Sequence, residues 1–471
     1  MKSHKISLDD NVENPPKGLA IFALVGPSFI WCAEYIGSGE VILATRTGAI
    51  LGTGVIWAII IGIFLKYWIG MSGARYTVCT GEAMIDMFDR IPGPRHWVVW
   101  VVLVTQFISA AISIGSIATA AGIFLSSLTS IHPQLASWLV TIFCLTIAWT
   151  GLFDLLKIIM SFFVLIIVIG ALYVAGNVFP GIITFLKGFL IQLPEVPQWA
   201  VSKYGINQNP WREILPLLGW AAGGFASQVW YTYWVVGAGY GATRGRGYGV
   251  PADVEMLRNM SKKTALKIKE WLKVVYTDAT LAMVIGNVVT IGFLIAGAGI
   301  LGSNQLAPEG PQVAFTLSKI FSSKWGEMGS FLFILSGTAA LLGTQIGQLA
   351  GWPRLLADSF RICIPAFQKK FQWKTQFRLF LGFFFTTNMI IVFTFGLKPV
   401  FLVKMGAVMD GLLLTPLQAL WIVLALYIVL PKLLSPQAYK FLRPHWIFGV
   451  GLIIAFLVFS YFCIFQIPFI L

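Results

Sequence analysis

The sequence is short of the residues a soluble enzyme is built from. Asp, Glu, Lys and Arg together make up only 11% of it, less than half the ordinary share of about 25%. That excludes a globular domain surrounded by water. Histidine is scarcer still: His4, His96, His132 and His445 all fall in polar or loop-like stretches, so no imidazole stands inside an apolar run to ligate a metal or relay a proton. The five cysteines, Cys32, Cys79, Cys144, Cys363 and Cys463, are scattered and form no C-x-x-C pair. Neither a disulfide framework nor a thiolate metal site follows from them, and they read as small core residues. There is no nucleophile–base constellation and no glycine-rich phosphate loop followed by Lys and Ser or Thr. The chain is expected not to be an enzyme and to carry no cofactor.

What is present is apolar length. Hydrophobic residues make up 57% of the 471, and runs of about 20 apolar residues cross a bilayer. Eleven such spans can be drawn, at 19–48, 52–78, 98–128, 135–154, 156–180, 214–240, 273–300, 328–352, 376–397, 402–430 and 446–469. Spans four and five are separated only by a tight turn expected at Asp154–Lys157. The charged segment Met1–Lys17 has no short apolar core ending in a cleavage site, so no cleavable signal peptide is expected.

The net charge of +14 follows the same plan. Arg244, Arg246, Arg258, Lys262, Lys263, Lys267, Lys269 and Lys273 lie between spans six and seven, and Arg354, Arg361, Lys369, Lys370, Lys374 and Arg378 between eight and nine. With eleven spans both segments share a side with the N-terminus, as do the loops Arg75–Arg95 and Lys432–Arg443, while the loops around 181–212 and 301–327 are poor in basic residues. The positive-inside rule then predicts a multi-pass protein of the plasma (inner) membrane, N-terminus cytoplasmic and C-terminus extracytoplasmic. The excess charge is topogenic, with a modest attraction to anionic headgroups of the lipid bilayer. A nucleic-acid partner is not expected.

The segment Gly26–Gly48, GPSFIWCAEYIGSGEVILATRTG, reads as a spanning helix broken in its middle. Glycine inside a helix costs about 1 kcal/mol relative to Ala, and a carboxylate at bilayer depth costs roughly 2.5–3.5 kcal/mol on insertion scales. Gly37, Ser38 and Gly39 with Glu34 and Glu40 beside them are therefore candidates for a binding site, because an unwound backbone offers carbonyl and amide groups to an ion or polar solute. A second such stretch, LLGWAAGGFASQVWYTYWVVGAGYG, places Gly223, Gly224, Ser227 and Gln228 in span six. The two lie five spans apart, as two inverted five-helix repeats require. The organisation expected is a cytoplasmic segment at 1–18, a first repeat at 19–180 broken near 37–39, and an extracytoplasmic loop at 181–213. A second repeat follows at 214–430, broken near 223–228, and then a loop and eleventh helix at 431–471.

The first broken span resembles the first helix of Nramp-type divalent metal transporters, whose pattern is Gly-Pro-Gly-Phe, then Ala-Tyr-Ile, then Asp-Pro-Gly-Asn. Gly26, Pro27, Phe29, Tyr35, Ile36 and Gly39 match without a gap. SGARYTVCTGEAMID resembles the family's Ser-Ala-Arg…Thr-Gly segment, and GTQIGQLAGWPRLLADSF its eighth helix and the loop beyond. The resemblance implies an all-α polytopic membrane protein of leucine-transporter-like fold, two inverted five-helix repeats plus an eleventh helix. It also implies a secondary transporter working by alternating access around broken helices one and six. The ligand positions differ: Gly37 stands where the family has its metal-binding Asp, Ser38 and Glu40 where it has Pro and Asn, and the Ala-Met-Pro-His stretch falls on Ala226, Ser227, Gln228 and Val229. In span three, where family counterparts carry acids associated with proton movement, this chain has Gln106, Ser109, Ser113 and Ser116.

Loss of the soft thioether and the imidazole shifts preference toward hard cations, which oxygen donors suit. A divalent metal cation such as Mg²⁺ or Mn²⁺ would take Glu40 and Glu34 as metal ligands, with Ser38, Ser227 and unwound carbonyls. The alternative is that one glutamate pairs with Arg46. Asp410, Gln106 and Gln345 are candidates for a polar path, with Lys404 six residues before Asp410 as a neighbour; Gln345, Gln348, Asn287 and Asn388 equally suit interhelical hydrogen bonds. Asp278 is placed near the cytoplasmic lysines. Trp230, Tyr231, Tyr233 and Trp234 read either as an interfacial belt or as the wall of a cavity. The wall would favour a small polar organic solute, an amino acid or amine, as the rival substrate.

Overall fold

The computed structural model describes residues 12–307, 312–395 and 398–469. His4, most of the 1–18 segment and residues 308–311 of the expected loop lie outside them. No strand occurs among the described residues. Among the described residues eight helical stretches are long and apolar enough to cross a bilayer. Pro133–Trp149 and the two helix pairs that make up spans one and six complete the eleven spans expected. The faces confirm the medium: along Phe153–Asn177, Ile158, Phe162, Leu165 and Ile169 recur at helical spacing and are each more than half exposed. In water such a stripe would be an aggregation site; in a bilayer it meets lipid tails. The chain is an integral, multi-pass membrane protein.

Span one is divided into α1 (Pro27–Tyr35) and α2 (Thr45–Leu51), the latter entered through a π-helical turn at Gly39–Ala44. Then come α3 (Ile56–Thr80), α4 (Trp97–Thr129), α5 (Pro133–Trp149) and α6 (Phe153–Asn177). Span six is divided into α7 (Trp211–Trp220) and α8 (Phe225–Ala238). After α9 (Lys262–Ala296), α10 (Gln312–Cys363) and α11 (Trp373–Phe395), span ten is α12 (Pro399–Met409) and α13 (Thr415–Leu424), and the last span is α14 (Trp446–Tyr461). The long α10 packs along α4, α5 and α6, and α9 along α3.

Several boundaries move for identifiable reasons. The turn between spans four and five falls at Gly151, whose φ of 67° suits glycine, so Asp154 and Lys157 lie inside α6. The break in span six sits at 221–224, where Ala222 and Gly223 have φ of 54° and 74°; Ser227 and Gln228 belong to α8. Arg354 and Arg361, expected in a loop, lie in α10 and are buried. The largest departure is span ten, which is not continuous over 402–430 but interrupted at 410–414.

That third interruption packs on the second. A Cβ placed on Gly411 would stand 2.0 Å from the Gly219 carbonyl oxygen, and one on Gly219 would stand 2.4 Å from that of Ala407. Backbones this close tolerate no side chain, so Gly411→Ala should lower thermal stability by about 1–3 kcal/mol through overpacking. Gly176→Ala, whose Cβ meets nothing within 4 Å, should leave the melting temperature of the purified protein within error. Equal melting temperatures for both variants would contradict the packing.

Candidate functional site

The three interruptions meet. Gly39 approaches Trp220 at the end of α7, and Gly223 lies against Tyr35 at the end of α1. Breaking a helix exposes main-chain groups that lipid cannot satisfy, and the side chains around them answer those groups one by one. Glu40 folds back so that the Gly37 amide donates to its Oε2 at 2.8 Å, while Thr290 Oγ1 of α9 donates to Oε1 at 3.3 Å. Glu34 faces the other way. It accepts from Ser227 Oγ of α8, which in turn accepts from Trp31 Nε1 at 3.1 Å. The two glutamates are thus held by different neighbours, Glu34 bridging spans one and six and Glu40 bridging to α9. Both are buried, and among the described residues neither forms an ion pair.

Asp410, one of the polar-path candidates, sits at the start of α8. Its Oδ1 accepts from the Ala226 amide at 3.3 Å and its main-chain carbonyl accepts from Phe225 at 2.9 Å. A Cβ on Gly224 would stand 1.8 Å from Asp410 Oδ2, so this glycine is what lets the carboxylate reach a helix end whose partial charge is positive. Gln228 donates from Nε2 to the Ala222 carbonyl at 2.8 Å, bracing the unwound link. The Gln106 amide lies beside the Asp410 carboxyl without meeting hydrogen-bond geometry, and neither amide atom of Gln345 is hydrogen-bonded, nor is Thr344 Oγ1, which faces Gly37. Unpartnered buried polar atoms beside a break are places for water or a polar solute. Ser38 is buried within the break.

Other candidates have structural partners. Arg46 pairs not with Glu34 or Glu40 but with Glu213 in the first turn of α7, at 3.0 Å, and Lys404 of α12 reaches the same carboxylate at 2.8 Å. Lys404 therefore does not pair with Asp410. Asp278 is fully buried rather than among lysines, accepting from the Gly26 amide at 3.2 Å and from Tyr231 Oη at 2.8 Å. Tyr233 donates to Asp358 at 2.8 Å and Trp230 packs edge-on to Trp352. All four residues of the aromatic run are buried, so they form neither an interfacial belt nor an open wall. Asn388 does bond between helices, to Thr141 at 3.1 Å, whereas Asn287 bonds within its own helix to Met283. A further ionic cluster joins the Met84–Asp89 helix to α10: Asp86 with Arg361 at 2.6 Å, and Asp358 accepting from Trp373 Nε1 at 2.9 Å. Sequence reading missed Lys66, which is fully buried in α3 with its ammonium on the Gly219 and Gly223 carbonyls. The lone lysine in the apolar run IFLKYW was the available signal.

Among the described residues no three His, Cys, Asp or Glu side chains cluster as a ready-made metal site. What the break offers is oxygen: two carboxylates that form no salt bridge among the described residues, hydroxyls and main-chain carbonyls.

Removing one member of a buried ion pair leaves its partner uncompensated, at about 3–5 kcal/mol. Glu213→Gln should therefore destabilise strongly, and Arg46→Met combined with Glu213→Leu should recover part of the loss; a thermal-unfolding double-mutant cycle showing additivity would exclude the pairing.

No family model matches the chain. A stretch of it is 29% identical over 93 residues to the divalent metal cation transporter MntH of Yersinia enterocolitica, covering 19% of this chain and 23% of that protein. Another is 31% identical over 81 residues to MntH of Erwinia tasmaniensis, covering 17% and 20%. The matched stretch thus spans about a quarter or less of the length of these curated relatives. The fold similarity is far wider. The Eremococcus coleocola manganese transporter superposes with a TM-score of 0.65 at 16% identity, over 97% of this chain and 90% of that one. Mhp1, a nucleobase-cation-symport-1 family transporter, gives 0.57 at 13% over 93% and 91%, and MhsT, solved with L-phenylalanine, gives 0.51 at 14% over 94% and 99%. The chain is a membrane protein with the fold shared by these transporters, and a short stretch of it is similar in sequence to MntH.

Proposed function

We propose that the protein is a secondary active transporter moving a divalent metal cation by alternating access around the breaks in spans one and six. One observation carries the reading. Glu34 and Glu40 are both buried at the break of span one, and neither forms a salt bridge among the described residues. A buried carboxylate needs a counter-charge or a proton, and a transported cation supplies the former. The donors at hand are oxygens, and hard ions such as Mg²⁺ and Mn²⁺ accept one or two carboxylates while keeping several waters. The MntH relatives and the manganese transporter support this class of cargo. The organic-solute alternative loses its motive, because the aromatic run is packed against other helices.

In this reading Glu40 and Glu34 are ligands, with Ser38, Ser227, Gln228 and the carbonyls around Gly37, Gly39, Gly223 and Gly224 completing the binding site, and Gln106, Gln345 and Asp410 line the polar approach. We infer that the repeats run over 19–180 and 214–430, and the positive charge of the loops favours a cytoplasmic N-terminus, an outside C-terminus and the plasma (inner) membrane. Transport is expected to be assigned to no enzyme-like turnover of a bond.

Protein reconstituted into vesicles should take up Mn²⁺ or Mg²⁺ saturably. Glu40→Gln and Glu34→Gln should each reduce uptake roughly tenfold or more, the loss set by one charge-assisted ligand of about 1.5–3 kcal/mol. Neither change should unfold the protein, since neither carboxylate is ion-paired. Absence of saturable uptake and of binding, with Glu40→Gln indistinguishable from the unaltered protein, would defeat the reading.

A further inference from the structure

Lys66 lies deep within α3 and is fully buried, too far from either end to snorkel to the interface. Its Nζ donates to the main-chain carbonyls of Gly219 and Gly223, the latter at 2.7 Å. Gly219 is in the last turn of α7 and Gly223 in the unwound link beyond it. The final carbonyls of a helix have no intrahelical partner and carry the negative end of its dipole. Among the described residues Lys66 makes no ion pair with a carboxylate; the ammonium rests on carbonyl oxygens. Unwound carbonyls and half-helix C-terminal ends are the donors that hold a small coupling cation in transporters built from broken helices. Here that donor set holds an ammonium attached to the chain. On the far side of the same link, the Asp410 carboxylate closes the start of α8 next to Gly224, so the unwound segment is flanked by one charge of each sign.

We propose that Lys66 is a tethered cation that fills the monovalent-cation position at the broken end of α7, so that divalent-cation transport by this protein needs no sodium or other small monovalent ion. The second half rests on the transport reading above; the first is a statement about a site and is tested without transport.

The test is thermal unfolding of purified protein while sodium, lithium, potassium, ammonium or methylammonium chloride replaces choline chloride at constant ionic strength. The unaltered protein should be indifferent to all five. Lys66→Ala, which vacates the position and strands two carbonyls, should melt lower and be restored saturably by at least one of the five. Lys66→Met, which fills the space without charge, should melt lower and not be restored. Saturable stabilisation of the unaltered protein by any small monovalent cation, or a Lys66→Ala protein insensitive to every one, would overturn the proposal. If Lys66→Ala yields no folded protein, the titration of the unaltered protein decides alone. In vesicles, Mn²⁺ or Mg²⁺ uptake should be equal in sodium and in choline, and sodium-dependent uptake would overturn the proposal. A complete lack of uptake counts against the transport reading and leaves the stability result standing.

Discussion

Everything around the breaks answers to one constraint: a helix interrupted inside a bilayer exposes amides and carbonyls where no water can reach them. Each exposed start in spans one and six meets an acid. Asp278 serves α1, Glu40 the turn that leads into α2, Glu213 the first turn of α7, and Asp410 α8. The exposed end of α7 meets Lys66. These placements have the signs that helix dipoles favour. They also account for five charged side chains that the helical bundle buries.

The same rule sorts capping acids from acids available to a cargo. Glu213 is held between the cations Arg46 and Lys404, so its charge is met within the protein. Among the described residues Glu40 accepts from a main-chain amide and a hydroxyl, and Glu34 from a hydroxyl. Hydroxyls and amides donate without supplying charge, so these two carboxylates retain a demand that a cation can meet.

How much was legible follows from where the information lay. The break of span one is local: Gly37, Ser38 and Gly39 between two glutamates can be seen in fifteen residues of text, and the chain leaves the helix at Ile36 and Gly37. Span six was legible as a break but displaced by a few residues, because the positive φ at Ala222 is set by packing rather than by residue type. The interruption of span ten was missed, since Gly411 alone does not stop a helix; it is required by the Gly219 carbonyl, nearly two hundred residues away. Lys66, Glu213 and Asp278 were passed over or misread for the same reason. A capping charge supplied from another helix leaves no pattern around itself.

The contact between Gly411 and Gly219 has a mechanical consequence. α7 bears on the backbone of span ten at Ala407 and Gly411, and α8 is fastened at its start to Asp410 of the same short segment. The two halves of span six therefore share one support, residues 407–411 of span ten, which belongs to neither. A change in the backbone of that short segment would be felt by both halves at once.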